Sequence, residues 1–423
     1  MVAINNMYLC LTVFKVTMGN KRKIINDPVF GFITISGNNV LNVLQHPYMQ
    51  RLSRIKQLGL SSFVYPGAVH TRFLHSIGAM YLMQEAINQL RMQGQNITHE
   101  DAEAAQLAIL LHDIGHGPFS HVLENSLVEG VAHEEISGWM MQRMNKEFGG
   151  ILDKAINIFH NTHHQHFLHQ LVSSQLDVDR LDYLCRDSFF CGVNEGTVAS
   201  ARIIKMLNVL NDNLVVESKG IYSIEKFLVA RRLMYWQVYL HKTSVAAEQM
   251  LINILKRAKS LAMKGMQIQG SDALQFFLHQ DITKEDFNTN QTLDMYAMLD
   301  DSDIWSAIKM WCTHPDKVLS LLCNAFINRK LFKVKILNEP VDVKKVAQLK
   351  LSYQKTWNIS EEESDFFWGI QSVSTDTYSP SDDRINILYN DGTIKDISDA
   401  SDMLNINVLT KKVRKDYFYY TLL

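Results

Sequence analysis

The chain has 423 residues, 47% of them hydrophobic, so it is long enough for a sizeable core and too apolar for extended disorder. Its 42 basic and 44 acidic residues give a formal net charge of −2, which excludes an overall electrostatic attraction for nucleic acid or an anionic membrane. Five cysteines without a CxxC pair, and no apolar run of the roughly 18–20 residues that span a bilayer, predict a cytoplasmic protein that does not enter membranes.

An N-terminal extension is predicted at residues 1–24. Its apolar opening precedes the basic residues 21–23, which is the reverse of the order in a secretory signal. Met18 is an alternative start, and a strand is the competing interpretation of residues 1–17. Residues 25–37 then alternate apolar and polar side chains around turn-forming residues, which predicts a short hairpin or entry loop.

Helical periodicity dominates from residue 40 to about residue 330, and strand signals are few, so this part of the chain is predicted to be a mainly α-helical array. Thr98 and Asp101 form a start that resembles a capping box. The periodic segments are 40–58, 74–90, 102–111, 136–148, 168–184 and 224–261.

The composition changes after Lys330. Apolar alternation in FKVKIL, a polar stretch and an Asn-Asp-Gly turn at residues 390–392 indicate strands, two of them joined by a hairpin. We therefore predict a helical core at residues 25–330, followed by a smaller α+β region at residues 331–423.

The stretch HDIGHGPFSH, from His112 to His121, follows directly on the third periodic segment. Adjacent histidine and aspartate side chains normally diverge on a helix, but at a helix terminus both can turn toward one cation. Gly115 and Gly117 let the following backbone approach closely. The pattern predicts a hydrolytic metal centre that acts on phosphate.

Further candidate ligands are His75 in HTRFLHS and Asp179 in LDVDRLDYLCRD. Together with His112 and Asp113 they come from three predicted helical segments, and buried charges in a helical bundle are tolerated mainly as metal ligands or paired groups. Taken singly, His75 is more typical of a core histidine and Asp179 of a helix cap. The three segments in this order favour a site for a divalent cation that activates water.

Two other clusters allow more than one interpretation. The histidine-rich run at residues 160–169 offers a second set of metal ligands, but its spacing points the side chains around a helix, so we favour a solvated or interface face. The basic and aromatic stretch at residues 411–420 is short, and we favour a terminal strand or a subunit contact over nucleic-acid binding.

Six segments resemble the HD-domain phosphohydrolases, and more narrowly the branch of the deoxynucleoside triphosphate triphosphohydrolases. They are INDPVFG, QRLSRIKQLG, VYPGAVHTRFLHSIG, LLHDIGHGPFSHVLE, HEEIS and LDVDRLDYLCRD, and the resemblance covers residues 25 to about 245. It implies an HD-domain helical bundle in which His75, His112, Asp113 and Asp179 hold a divalent metal ion. Manganese, iron, magnesium, nickel and zinc all suit such a centre, and the sequence does not choose among them.

The resemblance also implies the remaining site residues. His116 and His133 take the catalytic positions, where an imidazole transfers protons near neutral pH. Phosphates, or the ribose region beside them, would contact Arg72, His121, Arg180 and Arg231, of which Arg180 stands where the mammalian relative has a lysine. The sugar would contact Gln57, Tyr183, Asp187 and Tyr239, and this branch uses a steric aromatic near C2′ to favour deoxyribose.

The chain departs from the family pattern at three further positions. Leu74 replaces a glutamate outside the ligand set, which is expected to matter little. Gln45 and Ser53 replace the acidic and arginine residues with which the mammalian enzyme reads a regulatory guanine. Activation by dGTP in that manner is therefore not expected.

The expected activity is hydrolysis of a deoxynucleoside triphosphate to a deoxynucleoside and tripolyphosphate, by attack of water on the α-phosphorus. One alternative is another nucleotide phosphoester hydrolase of the HD type. A second is a regulatory protein that senses nucleotides or binds nucleic acid, the less favoured partner given the near-neutral charge. We also expect a homo-oligomer, because symmetry partners can bury helical faces left around such a core.

Overall fold

The computed structural model describes residues 22–119, 121–375, 377–380, 384–402 and 406–423. Most of the predicted N-terminal extension, with the alternative start at Met18 and the competing strand, lies outside these residues. Within the described ranges, no helix combines the length and the apolar character needed to cross a membrane.

The first element of the described residues is the predicted hairpin. Strand β1 (Arg22–Asp27) pairs antiparallel with β2 (Gly31–Ser36), and Gly31 turns the chain with a φ of 76°. Ile33 and Ile35 of β2 are buried in the core, so one face of the hairpin belongs to the helical body.

The helices of the first half form the predicted array. In the centre, α3 (Arg72–Met92) packs along both α4 (His99–Leu111) and α9 (Val178–Cys191). Thr98 caps α4, because its hydroxyl accepts a hydrogen bond from the Asp101 backbone N–H. Residues of α4 are buried on nearly every side, as expected for a helix inside a large core. The helices are α1 (Asn38–Gln45), α2 (Pro47–Arg51), α3 (Arg72–Met92), α4 (His99–Leu111), α5 (His121–Glu124), α6 (His133–Glu147), α7 (Asp153–Phe159), α8 (His166–Val172) and α9 (Val178–Cys191).

Several predicted helical segments are shorter than their periodicity suggests. Segment 40–58 breaks before Pro47, which occupies the first turn of α2, where its missing N–H costs least. Segment 168–184 breaks before α9, where the Asp177 side chain caps the new helix. Segment 224–261 contains a π-helical turn at Tyr235–Tyr239, a feature that often marks functional sites.

The prediction of few strands before residue 330 is only partly correct. β3 (Leu207–Leu210) and β4 (Asn213–Glu217) form a hairpin whose turn residues Asn211 and Asp212 adopt left-handed φ values. β4 also pairs in parallel with β7 (Asn386–Leu388), so part of the C-terminal region joins the helical body. The boundary near residue 330 stays a prediction.

Helices continue through the second half of the chain. They are α10 (Ser200–Lys205), α11 (Ile221–Met234), α12 (Lys242–Met263), α13 (Asp272–Leu278), α14 (Asn290–Met298), α15 (Asp301–Trp311), α16 (Lys317–Ile327), α17 (Val343–Trp357), α18 (Glu361–Ser364) and α19 (Ile397–Ala400).

The C-terminal region has the predicted α+β character. β7 and β8 (Ile394–Asp396) form the predicted hairpin, in which Gly392 has a φ of 83°. The basic and aromatic end of the chain forms β9 (Val413–Tyr420), which lies between β5 (Lys333–Leu337) and β6 (Trp368–Thr375) in an antiparallel sheet. The preference for a terminal strand is confirmed, and so is the mainly α-helical class with a smaller α+β region.

Candidate metal centre and active site

Three packed helices bring the predicted metal ligands together. His75 lies in the first turn of α3, His112 caps the C-terminus of α4, and Asp179 lies in the first turn of α9. One ligand atom from each of these residues lies within 4.8 Å of the others. The convergence predicted from three separate sequence segments is therefore present in the fold.

The distances define a compact cluster. Asp179 Oδ1 lies 3.0 Å from His75 Nε2 and 3.5 Å from His112 Nε2. Asp113 adjoins them, with Oδ1 3.2 Å from His112 Nε2 and Oδ2 3.8 Å from His75 Nε2. Arg72 Nη1 donates a 2.6 Å hydrogen bond to Asp113 Oδ2, so this carboxylate is also tied to a predicted phosphate ligand.

The two imidazoles present the atoms that a metal ion requires. His75 Nδ1 lies 2.7 Å from Asp182 Oδ2, and His112 Nδ1 lies 2.6 Å from the carbonyl oxygen of Ile109. In the neutral form of each ring, these acceptors favour the tautomer whose Nε2 is unprotonated, so a metal ion and a proton compete for the same atom. Both Nε2 atoms are buried, and neither has a hydrogen-bond partner within the described part of the chain. The donor set fits a divalent cation.

Charge in the cluster also favours a cation. Burial alone would lower the pKa of His75, but the carboxylates of Asp179 and Asp182 outweigh it and raise that pKa to about 10. Two or more carboxylates around buried imidazoles therefore attract positive charge strongly at this point.

A second pair of histidines lies beside the cluster. The rings of His116 and His133 stack with their centroids 3.7 Å apart, and His116 Nε2 is 3.4 Å from Asp113 Oδ1. Glu124 Oε1 lies 3.0 Å from His133 Nδ1, which makes a carboxylate–imidazole pair. Burial, followed by the charge of Arg72, lowers the pKa of His116 to about 3.

Glu124 is a candidate functional residue that sequence reasoning missed. Its signal was an acidic residue at the end of HVLE, three positions after the predicted contact His121. In the structure it closes the short helix α5 and faces His133. The backbone of His121 begins that helix, but its side chain lies outside the described part, so its contact with substrate stays a prediction.

The two glycines of the motif permit close backbone packing, as predicted. A Cβ added at Gly115 would lie 2.2 Å from the His133 carbonyl oxygen, and one at Gly117 would lie 2.5 Å from Leu123 Cδ2. Ser137 Oγ accepts a hydrogen bond from the Gly115 N–H and donates one to the His112 carbonyl oxygen. The loop after α4 is thereby fixed against α6.

The residues that are predicted to contact the sugar also lie close to one another. Asp187 lies between His70 and Tyr239, with 2.8 Å from His70 Nε2 to Oδ1 and 2.9 Å from the Tyr239 hydroxyl to Oδ2. The rings of Tyr183 and Tyr239 are nearly perpendicular, with centroids 6.0 Å apart. Gln57 joins this group through its backbone N–H, which donates to the His70 carbonyl oxygen.

Two arginines that are predicted to contact phosphate have hydrogen-bond donors available for a ligand. Arg180 pairs with the buried Asp177, and Arg231 Nη1 donates a 3.1 Å hydrogen bond to Gln175. The Nε atoms of both arginines are buried and have no hydrogen-bond partner within the described ranges. Such donors are suited to anionic oxygens.

The histidine-rich run does not form one helix, so the expected helical spacing is wrong, and the preference for a solvated or interface face stays a prediction. The chain leaves α7 at Phe159 and turns through Asn161, which has a φ of 57°, before α8 begins at His166. The turn brings His163 and His164 close to Asp101. Lys154 Nζ lies 3.0 Å from Asp101 Oδ1, so a lysine already supplies the positive charge there.

Comparisons with known proteins agree with this geometry. The HD domain family model matches residues 72–187, and the HD associated region matches residues 198–288. A crystal structure of a phosphohydrolase from Bacteroides thetaiotaomicron is 58% identical, covers 95% of this chain and all of its own, and superposes with a TM-score of 0.92. The chain therefore belongs to the HD-domain phosphohydrolase family, as the sequence predicted.

Curated relatives include an uncharacterized protein and proteins named as triphosphohydrolases. An uncharacterized protein of Bacillus subtilis, YwfO, is 29% identical over 95% of this chain and 92% of its own length. The deoxynucleoside triphosphate triphosphohydrolase SAMHD1 homolog of Dictyostelium discoideum is 30% identical over 56% of this chain, and chicken SAMHD1 is 29% identical over 59%. The chain spans only about half of these two triphosphohydrolases, 49% and 47%.

Proposed function

We propose that this protein is a metal-dependent phosphohydrolase that converts a deoxynucleoside triphosphate to a deoxynucleoside and tripolyphosphate. The observation that carries the proposal is the pair of buried Nε2 atoms of His75 and His112 facing Asp179, directly beside the His116–His133 pair. The similarity to two relatives named as triphosphohydrolases supports the substrate class.

His75, His112, Asp113 and Asp179 would hold the divalent cation, whose identity among manganese, iron, magnesium, nickel and zinc the donor set leaves open. Bound there, the cation supplies Lewis acidity toward a phosphoryl oxygen of the substrate.

The protein's own residues position and protonate the substrate. Arg72, Arg180 and Arg231 hold the phosphates, while Tyr183, Asp187, Tyr239 and Gln57 receive the sugar. His116, held neutral by burial and by the charge of Arg72, orients the water that attacks the α-phosphorus. As the new P–O bond forms, the attacking water releases one proton to the surrounding solvent. The bond from phosphorus to the 5′-oxygen breaks, and His133, paired with Glu124, donates a proton to that oxygen.

Product analysis tests the proposal. Purified protein with Mn²⁺ or Mg²⁺ is incubated with each of the four dNTPs, singly and mixed, and the products are separated by chromatography. Equal amounts of deoxynucleoside and tripolyphosphate are expected. Orthophosphate or pyrophosphate would instead favour another HD-type hydrolase, and salt-dependent binding of single-stranded nucleic acid without turnover would favour a regulatory role. A homo-oligomer remains a prediction, which sedimentation of the same sample tests.

Replacement of Tyr239 by leucine is expected to weaken the preference for deoxyribose over ribose by about tenfold, because one steric contact in a pocket is worth roughly 1–3 kcal/mol. The measurement is kcat/KM for matched dNTP and NTP pairs. The control Tyr239→Phe keeps the ring and removes only the hydroxyl that bonds Asp187, so its sugar preference should stay near wild type. An unchanged preference in the leucine variant would contradict the role of this ring.

A further inference from the structure

A series of buried polar contacts leads from His75 to the first hairpin. His75 Nδ1 lies 2.7 Å from Asp182 Oδ2, and the two oxygens of Asp182 accept 2.9 Å hydrogen bonds from Nε and Nη2 of Arg186. Arg186 Nη1 then donates a 2.8 Å hydrogen bond to Asp27 Oδ2. All four side chains are completely buried.

Asp27 is itself held firmly at the end of β1. Its Oδ1 accepts 2.9 Å hydrogen bonds from the backbone N–H groups of Val29 and Phe30. The guanidinium carbon of Arg186 lies 5.7 Å from the centre of the Phe30 ring, so the hairpin turn contacts both ends of the ion pair. The position of Arg186 therefore depends on the hairpin.

Helix α3 leaves room for the ion pair between Asp182 and Arg186 at Gly78, one turn after His75. A Cβ added there would lie 2.0 Å from Asp182 Oδ1 and 2.1 Å from Arg186 Nη2. Both contacts are far inside van der Waals distance, so any side chain at residue 78 would displace the pair that supports His75.

We propose that Asp27 is a positioning residue of the metal centre. Through Arg186 it orients Asp182, and Asp182 fixes the tautomer and the ring orientation of His75. Arg186 shares its charge between two carboxylates. Without Asp27 that charge would act on Asp182 alone and weaken its hydrogen bond with His75. This inference rests on the metal centre of the proposed function and is independent of the substrate.

Metal affinity tests the proposal. The full chain is stripped with a chelator and titrated with Mn²⁺ by calorimetry and with Co²⁺ by visible absorption. Loss of an outer-shell partner typically lowers metal affinity by roughly 10–100-fold. Asp182→Asn is expected to lower Mn²⁺ affinity by a factor in that range. Asp27 lies one contact further from the metal position, so Asp27→Asn is expected to lower Mn²⁺ affinity by about tenfold and to shift the Co²⁺ spectrum.

Asp316→Asn is the matched control. Asp316 also combines a backbone bond with an ion pair: it caps α16 through Leu319 and accepts a 3.0 Å hydrogen bond from Arg257 Nε. It is not part of the contacts that reach His75, so this variant should lose thermal stability and keep wild-type Mn²⁺ affinity and Co²⁺ spectrum.

Two further variants keep the test decisive. Gly78→Ala retains Asp27 but displaces the Asp182–Arg186 pair, so it should show the same loss if Asp27→Asn does not fold. His112→Ala should abolish stoichiometric binding, and wild-type binding by that variant would refute the metal centre itself. Wild-type Mn²⁺ affinity in folded Asp27→Asn, or an equal loss in Asp316→Asn, would refute the role of Asp27.

Discussion

Replacement of His112 by alanine is expected to abolish hydrolysis while the protein stays folded. The change removes one of the two buried Nε2 atoms that face Asp179, so the cation would lose a ligand rather than a supporting contact. Loss of turnover should therefore exceed the roughly 100-fold that an outer-shell partner costs. The measured kcat and the measured amount of metal bound per chain should both fall in this variant.

The fold should tolerate this change. The His112 side chain is 11% exposed. Its ring packs edge-on against His75, and its Nδ1 forms a hydrogen bond with the Ile109 carbonyl oxygen, a kind of bond worth about 1 kcal/mol. His169→Ala is a close control, because its Nδ1 bonds the Ile158 carbonyl oxygen at 2.8 Å outside the ligand cluster. It should lose similar stability and keep full activity. Wild-type turnover by folded His112→Ala would end the metal-centre proposal.

Residues whose role depends on local sequence could be predicted, and those whose role depends on tertiary contacts could not. His112 and Asp113 occupy a helix terminus, and Asp179 follows the helix cap at Asp177, so their backbone positions are local properties. Asp182 shares the motif of Asp179, yet its contact with His75 requires α3 and α9 to pack. Asp27 is remote in sequence from both.

The errors in the predicted fold have the same origin, because they too concern elements that depend on tertiary contacts. In the segment from Leu207 to Glu217 the turn residues Asn211 and Asp212 are a visible hairpin signal, but the surrounding helical periodicity outweighed it. The parallel pairing of β4 with β7 joins residues far apart in the chain, which no local pattern indicates. The π-helical turn at Tyr235–Tyr239 likewise depends on packing. The Tyr65 and Tyr417 hydroxyls donate to the carbonyl oxygens of Gln237 and Leu240 there.

Replacement of His133 by glutamine is expected to lower kcat by about 10²–10⁴-fold, the usual contribution of a general acid, with little change in metal content. His133 stacks on His116 beside the cluster and lies outside the ligand group of His75, His112 and Asp179. Its Nδ1 is held by Glu124, which leaves Nε2 to serve the departing 5′-oxygen.

Substitutions at two glutamates distinguish a catalytic role of His133 from a structural one. Glu124→Gln keeps a hydrogen-bond acceptor at Nδ1 but removes the charge that supports the imidazolium, so kcat should fall by less than in His133→Gln. Glu134 Oε1 lies 3.3 Å from His133 Nε2, but its side chain is 63% exposed, so solvent screens its charge. Glu134→Gln should therefore leave kcat unchanged or raise it. If Glu134→Gln lowered kcat as much as Glu124→Gln, the pairing of Glu124 with His133 would not be the feature that matters for catalysis.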